Sequence, residues 1–141
     1  MEQTGRYRSI NREKFRRDEL EQELADLSSL RHQVFYPYLH LIRTRAAHPA
    51  FHPNGAQDVL LGNESLFTLV RISPDGEDKI LCIHNVSDVE QPFSANLALF
   101  SFPHSGQVRD LINGATFPVD TSGDPNLRVA PYQVLWLVGE K

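Results

Sequence analysis

Apolar and polar positions along this chain follow a helical spacing first and a strand spacing afterwards. From Leu30 to Ala46 the apolar residues recur at intervals of three and four: Leu30, Val34, Tyr38, Leu41 and Ile42, with the stem of Arg45 on the same stripe and Phe35, Leu39 and Ala46 widening it. This predicts a helix with one buried face. Ser28 or Ser29 supplies its N-cap, Arg43, Arg45 and His48 suit the negative end of its dipole, and Pro49 stops it. Pro37 removes a backbone donor, so it either kinks this helix or marks a later start. Before it, Glu13 to Asp26 is heavily charged, with apolar residues at Phe15, Leu20, Leu24 and Leu27. This stretch reads as a solvated helix capped by Asn11 and running through Leu24.

Beyond Pro49-Ala50-Phe51-His52-Pro53-Asn54-Gly55 the period changes to two. Val59-Leu60-Leu61 is a short apolar run. Leu66–Ile72 and Lys79–Val86 are strands joined by Ser73-Pro74-Asp75-Gly76 into a hairpin. Phe93 to Phe102 alternates at Phe93, Ala95, Leu97 and Leu99 and is expected to be a further strand. Val108–Ile112 turns through Asn113-Gly114 to Thr116-Phe117. After a polar loop at 120–126, Leu127–Ala130 and Tyr132–Val138 close the chain, and Val134, Trp136 and Val138 share what is expected to be a core face. The expected fold is α+β: loop and helices, then an antiparallel β-sandwich. The domain boundary is expected at 52/53.

Charge follows the same division. Residues 1–52 carry nine Lys/Arg against seven Asp/Glu, and residues 53–141 carry five against eleven. The net charge of −4 argues against a nucleic-acid partner. No apolar run is long enough for a membrane span, and the polar start does not read as a secretory signal. One cysteine, Cys82, forbids an internal disulfide, which fits a cytoplasmic location.

The search for chemistry is mostly negative. The six histidines (32, 40, 48, 52, 84 and 104) are scattered, and no pair has the tight spacing of zinc ligands, so no metal is expected. No phosphate loop or nucleophile elbow is present, and no cofactor is expected. Cys82 lies mid-strand between Leu81 and Ile83 and reads as a small core residue. Glycoside chemistry needs two carboxyl groups facing one sugar ring. Asp75, Glu77 and Asp78 fall in a hairpin turn, and Asp120 and Asp124 in a loop, so neither set is expected to be catalytic. Gly5-Arg6-Tyr7-Arg8-Ser9-Ile10-Asn11-Arg12 is different. Its arginine forks can receive a phosphate or carboxylate, or it is a flexible basic loop.

Several phrases resemble the α-amylase family of glycoside hydrolases. Leu41-Ile42-Arg43-Thr44-Arg45 followed by His48-Pro49-Ala50-Phe51 resembles the last helix of that family's barrel, leading into a C-terminal β domain. Ile83-His84-Asn85-Val86-Ser87, Asp110-Leu111-Ile112-Asn113-Gly114 and the closing Leu127–Leu137 stretch resemble phrases of that domain. Arg8-Ser9-Ile10-Asn11-Arg12 resembles the sucrose phosphorylase subfamily, including its glucosylglycerate-type relatives. The resemblance implies a parent enzyme that moves a glucosyl group to phosphate with retention, through carboxyl groups on barrel strands absent from this chain. It implies that residues 1–52 are the loop after the eighth strand and the last helix, and that 53–141 are the C-terminal β domain. It also implies that Arg8 and Arg12 either contact the sugar or phosphate in the full enzyme or brace their loop by ion pairs.

The chain is therefore expected to be a structural C-terminal piece, inactive alone. The alternatives are a free-standing β module that binds carbohydrate, or an interaction domain. If the barrel is missing, the Leu30–Ala46 helix is expected to fold onto the β domain or to drive self-association.

Overall fold

The computed structural model describes residues 14–102 and 106–140. The chain divides into two compact units, Met1–His40 and Leu41–Lys141. Asn11, Arg8, Arg12 and His104 lie outside the described residues.

Helix α1 spans Arg17–Ala25 and has no buried residue, as its charge density requires. It starts five residues later than Asn11 capping implies. Lys14 to Arg16 are not helical, and Arg16, at the cap position, makes no side-chain cap bond. The first turn is held instead by charge: Asp18 and Glu19 sit at the positive end of the dipole, and Arg16 reaches Asp18 at 3.0 Å. Asp26 Oδ1 accepts from the Ser28 amide and hydroxyl, which closes the turn into the next helix and holds the Asp26 carboxyl below its ordinary value.

Helix α2 spans Leu30–Ala47 and runs through Pro37 without interruption. Ser29 is its cap, its hydroxyl oxygen accepting from the His32 amide at 3.0 Å. Helix α1 meets it at Arg31 and His32: Arg31 pairs with Glu23 at 2.8 Å and lies over the Phe15 ring, and the His32 ring bonds the Leu24 carbonyl. The expected buried stripe is not found. No residue of α2 is buried, and Leu30 is 75% exposed. A three-and-four period identifies an apolar face; burial also requires an element to cover it.

The second unit is an antiparallel β sandwich. Its large sheet has the order β1-β2-β3-β8-β5-β6, from Ala56–Leu60, Leu66–Ile72, Lys79–Asn85, Val134–Glu140, Gly106–Asp110 and Thr116–Val119. The small sheet pairs β4 (Gln91–Phe93) with β7 (Leu127–Val129). Leu66, Val70, Leu81, Ile83, Val108, Leu135 and Leu137 of the large sheet share one core with Phe93, Leu127 and Val129 of the small one. The hairpin of β2 and β3 is found where its turn residues place it, with Gly76 at φ 79°. Pro118 is tolerated because β6 is an edge strand.

Two elements differ from expectation. Residues 94–102 are not a strand. Leu97–Phe100 form a 3-10 turn, with Asn96 Oδ1 accepting from the Ala98 amide and Ser101 left-handed at φ 61°. Leu97 is buried and Leu99 is exposed, so the alternation reports helical geometry instead. Gly123 allows the close approach: a Cβ on it would meet Ala98 at 3.1 Å, while its carbonyl accepts from the Leu97 amide and its own amide donates to the Asp120 carbonyl. Strand β5 ends at Asp110 rather than Ile112, because the Asp110 carboxylate accepts from the Ile112 amide and begins the turn.

Candidate functional site

The described residues offer no assembled catalytic group. Asp75 accepts from the Ser73 hydroxyl and the Glu77 amide, and Asp120 from Ser122 and Asp124, so both carboxyls are turn-formers held below their ordinary values by those bonds. Asp124 accepts from the Ser94 hydroxyl and from the amides of Ala95 and Asn126, tying two loops together. Among the described residues, no cluster of three or more His, Cys, Asp or Glu side chains is placed to hold a metal. The described histidines serve local ends: His52 Nδ1 accepts from the Asn54 amide, and His84 lies against Phe67 with ring centres 5.9 Å apart. Burial pushes the His84 imidazole below its ordinary value, favouring the neutral ring. No helix of the described residues is long and apolar enough to cross a membrane.

Two polar groups hold the fold together instead. Asn85 is buried at the end of β3. Its Nδ2 donates to the carbonyls of Val89, Val129 and Ala130, at 2.8, 3.1 and 3.0 Å, and its Oδ1 accepts from the Ser87 amide and hydroxyl. Asp110 is also buried. Its Oδ1 accepts from the Trp136 amide at 2.9 Å, whereas its Oδ2 has no hydrogen-bond partner.

The most structured feature outside the core is the junction at His48–His52. Residues Pro49–Phe51 form a single 3-10 turn seated on the outer face of the large sheet. Arg71 of β2 donates through Nε to the Ala50 carbonyl (3.2 Å), through Nη2 to the His52 carbonyl (2.9 Å) and through Nη1 to Gln57 (2.8 Å). Asp78, just before β3, accepts from the Ala50 amide at 3.0 Å and lies 3.6 Å from His48 Nδ1. Gly55 lets the chain leave: a Cβ there would sit 2.5 Å from the Ile72 carbonyl. Sequence reasoning found the turn residues but not this clasp, because its partners lie 21 and 28 residues apart, and neither an Arg in a strand nor an Asp at the end of a hairpin turn signals such a distant partner.

Under the turn lies a second, smaller core of Ala50, Ile80 and Cys82, with Phe51, Leu69, Leu111, Trp136 and Val138 packed against it. Trp136 belongs here, 4.8 Å from the Phe51 ring, and only half-buried; the main core uses Leu135 and Leu137 of the same strand. Cys82 is core, as expected. Burial pushes its thiol up to about 12, with the Arg71 charge pulling weakly the other way. The native state therefore favours the neutral thiol. That contribution is present below the ordinary value of 9.0 and is lost as pH rises through about 12. A thiol reagent at pH 8 is expected to leave Cys82 unmodified in the folded chain and to titrate one equivalent in urea; reaction before unfolding would contradict its burial.

Comparison with known proteins follows the same lines. No family model matches the chain. It is 37% identical, over 97% of its length, to a glucosylglycerate phosphorylase of Spirochaeta thermophila, and 42% identical over 93 residues to one of Allomeiothermus silvanus. This chain matches the C-terminal segment of glucosylglycerate phosphorylases. It spans 24% of the Spirochaeta protein's length and 16% of the other's. The fold agrees: an Anoxybacillus α-amylase structure matches 82% of the chain with a TM-score of 0.63 at 13% identity. For this phosphorylase-like segment, the junction at His48–His52 is the stretch whose His-Pro-Ala-Phe phrase carries the resemblance.

Proposed function

We propose that this segment is the structural C-terminal portion of a retaining glucosyl transferase that uses phosphate as acceptor. The observation that carries the reading is the match of nearly the whole chain to about a quarter of a glucosylglycerate phosphorylase. The turn-forming roles of Asp75, Asp120 and Asp124 support it, because none of them is positioned as one of the paired carboxyls that glycosyl transfer needs. The parent donor is a glucoside, glucosylglycerate ahead of sucrose, and the products are glucose 1-phosphate and the released alcohol. Arg8 and Arg12 contribute the contact to phosphate or acceptor sugar in that full enzyme, and the protein works in the cytoplasm, where Cys82 stays reduced.

The test is to exchange this chain for the matching quarter of the Spirochaeta phosphorylase and assay glucose 1-phosphate release from glucosylglycerate. Phosphate-dependent turnover by the hybrid, none by the 141-residue chain alone, and a raised KM for phosphate on Arg12→Ala are the expected results. Turnover by the chain alone would overturn the structural role.

A further inference from the structure

Two asparagine–glycine steps occur in the chain, and alanine follows both: Asn54-Gly55-Ala56 and Asn113-Gly114-Ala115. Such a step is open to attack from within, because no glycine side chain keeps the amide nitrogen away from the preceding carboxamide. Both asparagines are exposed, so local sequence and accessibility rank them equally. Their surroundings do not. In the turn from β5 to β6, Asn113 Oδ1 accepts from the Ala115 amide at 2.7 Å, which folds the carboxamide back over the Gly114 peptide. That same N–H stands on the oxygen that becomes negative when the carboxamide carbon is attacked. A Cβ placed on Gly114 would meet nothing within 4 Å, so the approach is open. The Gly114 amide donates to the Asp110 carbonyl at 2.9 Å, a bond in the peptide plane that leaves the faces of the nitrogen free. At the other step, Asn54 bonds through its main-chain amide, to His52 Nδ1, and Ala56 is drawn into the ladder opposite Ile72. A Cβ on Gly55 would lie 2.5 Å from the Ile72 carbonyl oxygen and 3.1 Å from that of His52. This peptide is packed among carbonyl oxygens, which oppose a growing negative charge, and Arg71 fixes the His52 carbonyl in place.

We propose that Asn113 is a site of spontaneous covalent modification by ring closure onto Gly114, and that the fold protects Asn54 from the same reaction. The Gly114 nitrogen loses its proton to water or hydroxide and bonds to the Asn113 side-chain carbonyl carbon. The bond from that carbon to the carboxamide nitrogen breaks, and ammonia leaves. Water then opens the resulting succinimide at either carbonyl, giving aspartate or isoaspartate at position 113. The net change exchanges ammonia for water, without oxidant or reductant, and adds one negative charge to the turn. Aspartate keeps an acceptor for the Ala115 amide. Isoaspartate lengthens the main chain by one methylene between the bonds that close this turn, Gly114 amide to Asp110 carbonyl and Asp110 amide to Ala115 carbonyl. The buried Asp110, which also receives the Trp136 amide, is then held less firmly.

The experiment incubates the full 141-residue chain at pH 8 and 37 °C, once in buffer and once in urea, and follows both steps by peptide mass spectrometry. Trypsin isolates Asn54 between Arg45 and Arg71, and Asn113 between Arg109 and Arg128. Fragmentation places the mass gain on the residue and separates isoaspartate from aspartate. In buffer, Asn113 is expected to react about tenfold faster than Asn54, through its positioned carboxamide and the donor on its oxygen. In urea the two identical tripeptides are expected to react at closely similar rates. Asn54 reacting as fast as Asn113 in buffer overturns the proposal. So does a preference for Asn113 that persists in urea, which would place its cause outside the folded turn. Ion exchange gives an independent reading: the wild-type chain is expected to accumulate a more acidic species, and Asn113→Asp to start at that position and gain no further one. An acidic species forming equally fast in Asn113→Asp overturns the assignment to this residue.

Discussion

Replacing Asn85 by alanine is expected to destabilise the β sandwich by about 3 kcal/mol, since a buried polar group deprived of its partner costs roughly 1–3 kcal/mol and this one side chain serves several. Its amide nitrogen serves three carbonyls on two separate segments, and its oxygen orders Ser87. Loss of the side chain leaves those carbonyls in a region water reaches poorly, at the point where β3, the 86–90 loop and the end of β7 meet. Urea unfolding monitored by circular dichroism measures the change; a loss below about 1 kcal/mol would show that the carbonyls find other donors. Asn85→Asp is expected to be worse at neutral pH, because a carboxylate would face three carbonyl oxygens. The protonated form would be favoured in the folded state, so its folded pKa would lie above the unfolded value. Stability would be greatest at low pH and lost as pH rises through that folded pKa.

The second large effect separates two leucines that look alike in the sequence. Leu81→Ala is expected to cost about 3 kcal/mol, within the roughly 2–5 kcal/mol seen for large-to-small changes in cores. Leu81 is fully buried on the central strand β3, paired with Leu137 and flanked by β2. Leu30→Ala in the isolated chain is expected to change stability by no more than about 0.5 kcal/mol, because that side chain is three-quarters exposed. A comparable loss at both positions would mean that α2 is covered in solution.

That pair also shows what a sequence can and cannot convey. The β2–β3 hairpin was legible because its turn chemistry, Ser73 through Gly76, is local. The helical period of α2 was legible too, and its N-cap at Ser29. Its burial was not, because burial belongs to whatever lies opposite and not to the helix. Residues 94–102 misled for a related reason: Phe93, Ala95, Leu97 and Leu99 satisfy a period of two, but the fold is decided by Asn96 folding back on Ala98 and by the approach of Gly123, more than twenty residues away. Trp136 does lie on a core face, but that of the smaller core; β3 and β8 are apolar on both sides, so alternation alone does not say which side holds the main core. Arg71 and Asp78 gave no signal at all; their partners are main-chain groups of a distant turn.

Trp136 carries a practical consequence. It is the sole tryptophan of the chain, and it sits half-exposed beside Phe51 on the uncovered side of the large sheet. Its ultraviolet emission therefore comes from one known place, so the chain has a built-in optical gauge of that surface. A blue-shifted maximum when a colourless binder is added would mean that water has left the indole. Binding anywhere else on the molecule would leave the colour of the emission as it was.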